Sequence, residues 1–98
     1  MHYIIIAKDY EDRDALNRRM KAREEHIALS DKMIIEGKAL YGVALLGIEG
    51  NMNGSVYIVD FPSRKDLDEW LNKEPYVVGK VWEKIDIFPC KVGLSFIK

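Results

Sequence analysis

The chain has 98 residues, enough for one domain and too few for two. Its 15 Lys and Arg against 16 Asp and Glu leave a net charge of −1, which argues against the strongly basic surface of a general nucleic-acid binder. No apolar run approaches the ~18 residues needed to span a membrane, and a single cysteine, Cys90, excludes an internal disulfide.

Tyr3 to Lys8 is β-rich and nearly continuous in apolar character, which predicts a central strand covered on both faces. The polar stretch Asp9 to Asp14 ends it, and Asp12 or Asp14 is placed to cap a helix. That helix runs to about Glu36, with Gly37 as its stop. At roughly 100° per residue, Leu16, Met20, Ile27 and Ile34 fall within about 40° of one line and form the expected core stripe. Arg23 interrupts that stripe, and Arg19, His26 and Ser30 flank it. A buried guanidinium is costly unless paired or reaching water, so either the stripe opens onto a pocket or Arg23 snorkels from a core edge.

Ala39 to Leu46 reads as the second strand, with Gly42 marking a bulge or a close approach to the backbone. The turn-rich Gly47 to Gly54 reads as a hairpin loop, and Ser55 to Phe61 as the third strand. Ser63 is a good N-cap for a second helix carrying Leu67, Trp70 and Leu71, which Pro75 breaks. A short helical turn follows at Tyr76 to Lys80. The fourth strand, Val81 to Phe88, ends at Pro89, and Val92 to Ile97 is a β-like tail.

The order β-α-β-β-α-β makes residues 1–98 a single α+β domain on the ferredoxin-like plan: an antiparallel sheet with helices on one face. The other face is then bare and apolar, which predicts a homodimer formed sheet to sheet, with a higher oligomer left open. A charge at Val59, taken as the middle of that face, is expected to disrupt assembly. The opening residues lack a basic n-region and a cleavage site, so with the lone thiol a cytoplasmic location is expected.

Several residues together carry a resemblance. They are the opening Tyr3-Ile4-Ile5-Ile6-Ala7-Lys8-Asp9, Arg23-x-x-His26, Gly37, Gly54-Ser55, Trp70, Pro75-Tyr76 and the Trp82-Glu83 entry to the last strand. With them the chain resembles the YciI-like family over nearly its whole length. The resemblance implies a dimeric α/β barrel of two facing ferredoxin-like sheets and a pocket holding a His–Asp pair. It also implies a possible lyase or isomerase chemistry: one relative is a dehydrochlorinase acting on a chlorinated hydroxyquinol, and muconolactone isomerase shares the fold. Glu74 stands where the resemblance leads one to expect Asp, and Gly42-Val43 where it leads one to expect Gly-Pro.

His26 is the best candidate for proton transfer, since imidazole titrates near neutrality, and Glu74 is its candidate orienting carboxylate. Arg23 is a candidate anion holder, while Ser55 and Tyr76 are candidate pocket-lining residues for the substrate. Spacing alone leaves plainer readings open: a surface histidine, a solvated acid, an ion-paired arginine, a strand-edge hydroxyl and simple aromatic packing. No Gly-rich phosphate loop is present, and His2, His26 and Cys90 lack metal-ligand spacing, so no metal or cofactor is expected. The partners expected are a small-molecule ligand and a second copy of the chain, not nucleic acid or membrane. Two functions fit: a cofactor-free lyase or isomerase using a His–carboxylate pair, or a non-catalytic dimer that binds or senses a small acid.

Overall fold

A computed structural model describes residues 1–97. The elements are β1 (His2–Asp9), α1 (Ala15–Ile35), β2 (Ala39–Leu46), β3 (Met52–Asp60), α2 (Arg64–Leu71), α3 (Pro75–Val78) and β4 (Trp82–Cys90), followed by a 3₁₀ turn at Leu94–Phe96. The four strands form one sheet in the order β2-β3-β1-β4, every neighbouring pair antiparallel. This is the ferredoxin-like α+β arrangement, with β1 central as expected; the helices cover one of its faces only, and Ile4 and Ile6 stand half-covered on the other. Among the described residues no helix is long and apolar enough to cross a membrane.

Strand alternation sets the two faces. Tyr3, Ile5, Ala7 and Asp9 of β1 stand beside Val59, Tyr57 and Ser55 of β3, and all are buried beneath the helices. The core continues through Met33, Phe61, Leu67, Trp70, Tyr76, Val81 and Trp82. The opposite face presents Ile4, Ile6, Val56, Ile58, Tyr41, Val43 and Phe88, all partly or largely exposed. Val59 therefore sits in the core, 0% exposed, and not on the bare face where it was expected. The open face is apolar as anticipated, but its centre is Val56 and Ile58.

The long helix is turned by one residue from its expected setting. Leu16, Met20, Ile27 and Ile34 are exposed, and Arg23 with them. The face that packs carries Ala15, Arg19 and Met33, with Ala22, His26 and Leu29 half-buried between them. These six also lie within about 40° of one line, one step around the helix. Apolar count favoured the wrong stripe because the true one buries two polar residues that find partners elsewhere in the fold.

Chain punctuation follows local chemistry. Gly37 ends α1 with φ +76°, and Gly37 and Lys38 donate back to Ile34 and Met33. Ser63 Oγ accepts from Asp66 N at 3.3 Å. Asp14 occupies the N-cap of α1 but makes no side-chain cap bond. β4 runs through Pro89 to Cys90 and does not stop at the proline, because β4 is an edge strand and can lack a ladder donor. The tail forms a 3₁₀ turn, not a strand, and is held where Tyr41 Oη donates to Phe96 O at 2.6 Å.

Candidate functional site

Glu74 is placed by a local rule. Pro75 forces Glu74 into an extended conformation (φ −62°, ψ 124°) and itself opens α3 at its first position. Glu74 becomes the N-cap of α3, its Oε1 accepting from Tyr76 N at 3.3 Å. The same Oε1 bonds His26 Nδ1 on α1. Glu74 is 0% exposed, and its Oε2 has no protein partner. The His26 ring lies flat on Tyr76, centroids 4.0 Å apart and planes 13° apart.

A second polar pair lies on the far side of Tyr76. The Arg19 guanidinium sits 4.7 Å over the other face of that ring. Its Nη1 donates to both Asp9 oxygens at 2.9 Å, and its Nη2 donates to Ser55 Oγ at 2.8 Å. Ser55 Oγ also accepts from Trp82 Nε1 at 3.1 Å. Burial pushes the Asp9 carboxyl above its ordinary range, and the hydrogen bond and charge of Arg19 oppose that rise. Burial likewise raises Tyr76 and Tyr57, so both stay protonated at neutral pH.

In front of His26 a pocket of about 290 Å³ opens between α1 and the β2–β3 ribbon. His26, Arg23, Ser30, Tyr57 and Tyr76 line it, with Ile27 and Ile34 from the exposed apolar stripe of α1. Tyr57 Oη donates to Ser30 Oγ at 2.8 Å, and both residues line the pocket. A carboxylate at Nδ1 selects the imidazole tautomer with a proton there and leaves Nε2 as a free base. Nε2 has no hydrogen-bond partner among the described residues.

The fold brings His26, Glu74 and Tyr76 into direct contact. Arg23 stands at the pocket wall, exposed and without an ion pair among the described residues, so the ion pair considered for it does not form. Ser55 is not a strand-edge hydroxyl: it is buried, with its oxygen engaged by Arg19 and Trp82. Arg19 and Asp9 were missed as site neighbours. Asp9 continues the buried alternation Tyr3, Ile5, Ala7, and that register was the available signal for a buried acid awaiting a cation.

Residues 1–91 match the YCII-related domain family, and the chain belongs to it. It is 29% identical over 97 residues to Protein YciI of Escherichia coli O6:H1, covering 93% of this chain and 97% of that protein. An uncharacterized protein of Haemophilus influenzae is 27% identical over the same length. Among solved structures the chain superposes with TM-score 0.83 on 5-chloro-2-hydroxyhydroquinone dehydrochlorinase (TftG) from Burkholderia phenoliruptrix AC1100, in complex with 2,5-dihydroxybenzoquinone. Identity there is 20%, over 95% of this chain and 96% of that one. A Mycobacterium tuberculosis protein, Rv0793, shares the fold at TM-score 0.59 and 15% identity.

Proposed function

We propose that the protein is a cofactor-free enzyme of lyase or isomerase type, acting on a small anionic or hydroxylated substrate. The observation that carries this is the fully buried Glu74 behind a histidine that faces a pocket. His26 Nε2 takes a proton from a substrate carbon beside a carbonyl, or from a ring hydroxyl. Glu74 stabilises the imidazolium that forms, and Tyr76 holds its plane. Arg23 receives the anionic group at the pocket wall. Return of the proton to another atom gives isomerisation; departure of a leaving group gives elimination. The dehydrochlorinase activity of the structural neighbour supports the second outcome.

The test is turnover of hydroxylated aromatic and enol-lactone substrates by the parent, His26→Ala and Glu74→Gln. Full activity in His26→Ala, or none in the parent, sinks the enzyme reading. The engaged Ser55 hydroxyl favours a second reading, because Arg19 and Trp82 already occupy the oxygen that would otherwise assist His26. In it the same pocket binds a small acid, anchored by Arg23, and releases it unchanged; product formation that His26→Ala abolishes removes this reading.

The working form proposed is a homodimer through the open sheet face. The exposed Val43 and Phe88 and the half-covered Ile4, Val56 and Ile58 support it, as apolar side chains left uncovered on one sheet face. Ile58→Asp should yield a monomer in sedimentation equilibrium at micromolar concentration. A parent that is already a sharply unfolding monomer of 11.3 kDa contradicts the dimer.

A further inference from the structure

The pocket floor holds a residue whose fold gives it no reason to be what it is. Gly42 lies inside β2, where glycine weakens a strand relative to alanine. Its φ is not positive, so any L-residue could adopt its conformation. A methyl group there would meet no heavy atom within 4 Å. The other glycines differ. Gly37 and Gly50 have positive φ. A methyl at Gly54 would press on Ala7 O at 2.7 Å, and one at Gly79 on Pro75 O at 2.8 Å. Gly47 and Gly93 also have neighbours within 4 Å. Gly42 alone combines ordinary backbone geometry with open space.

That space belongs to the pocket. Gly42 pairs with Tyr57, and Ala44 with Ser55, so both point to the helix side of the sheet. A second copy packed on the open face would not reach them. Their lack of bulk leaves a strip of bare backbone as one broad wall, faced by Ile27 and Ile34 of α1. His26, Arg23, Asp31 and the Ser30–Tyr57 hydroxyl pair supply polar groups to the same pocket. A broad apolar wall with polar groups beside it fits a flat ring that carries polar substituents on its edge.

We propose that Gly42 is the specificity-determining residue of the site, its bare backbone seating the face of a planar hydroxylated ring. The inference rests on the reading of this pocket as the substrate site, and it names the substrate class: a single aromatic or quinoid ring. A side chain at position 42 occupies the place of the ring and leaves the His26–Glu74 pair untouched.

The experiment pairs thermal melting with calorimetric titration of 2,5-dihydroxybenzoquinone, for the parent, Gly42→Ala and Gly42→Val. Gly42→Ala should melt about 2–8 °C higher than the parent, because the unfolded chain loses freedom and the strand meets no clash. The same variant should bind the quinone at least tenfold more weakly, and Gly42→Val should not bind it measurably. Gain of stability with loss of affinity is a signature that a structural glycine cannot give. A lower melting temperature in Gly42→Ala, quinone affinity within twofold of the parent, or no binding by the parent each overturns the proposal. A ring that binds, is weakened by Gly42→Ala and is never converted keeps this inference while removing the enzyme reading.

Discussion

Two buried polar pairs hang from α1 seven residues apart, and they are finished differently. In the Arg19–Asp9 pair both carboxylate oxygens accept from the guanidinium, Ser55 takes a second nitrogen, and Trp82 closes over Ser55. Only Arg19 Nε lacks a partner. In the His26–Glu74 pair one carboxylate oxygen is engaged, the other is idle, and the second ring nitrogen is left to the pocket. Tyr76 separates the pairs, with a cation on one face and the imidazole on the other. The comparison teaches that a polar pair with nearly every group engaged clamps a helix to a sheet, whereas one left open on the pocket side keeps a ring nitrogen available to a ligand.

Breaking the clamp should have the largest effect. Arg19→Met leaves the Asp9 carboxylate buried without its cation, a loss of about 3–5 kcal/mol in denaturant unfolding. The double variant Arg19→Met, Asp9→Leu should recover much of that loss, since the stranded charge is what costs. An Arg19→Met protein as stable as the parent would mean that the pair clamps nothing.

His26→Ala should do the reverse. Activity is expected to fall by roughly 10²–10⁴-fold, as for loss of a positioned acid–base group, with stability altered far less than in Arg19→Met. Equal damage to both properties would erase the distinction between the pairs. Glu74→Asp sharpens it further. Withdrawing the carboxylate by about 1 Å should cost on the order of 10²-fold in kcat while the melting curve moves little, and steady-state kinetics would read the difference.

The smallest effects concern pH, and their signs differ between the Asp partners of two adjacent arginines on α1. Asp9 has its folded pKa raised above 3.8, mainly by burial, so the folded state binds the proton more tightly than the unfolded one. Its contribution to stability is therefore greatest below pH 3.8 and declines as pH rises through its folded value. Asp12 is held at about 2, mainly by the hydrogen bond from Arg18. Its contribution is present above 3.8 and is lost as pH falls toward 2. Melting temperatures from pH 2 to pH 7 for Asp9→Asn and Asp12→Asn, each subtracted from the parent, should slope in opposite directions. Parallel slopes would contradict the assignment.

Much of the fold was legible because strands and turns are local statements. The apolar run of β1, the bounds of β2, the Ser63 cap, the Gly37 stop and the break at Pro75 each follow from a few adjacent residues and their backbone preferences. His26 and Glu74 are legible as a pair through the family resemblance, which implies a His–acid pocket; spacing alone leaves a surface histidine and a solvated acid open. Which stripe of α1 faces the core was not local. The helix buries Arg19 and His26 because Asp9 and Glu74, 10 and 48 residues away in sequence, meet them there. The apolar Met20, Ile27 and Ile34 are left to the pocket side or to solvent. Hydrophobic counting treats every polar group as a cost, and only the tertiary structure shows where that cost is met by a partner. The same limit put Val59 on the wrong face, since alternation defines two faces but not which one the helices cover.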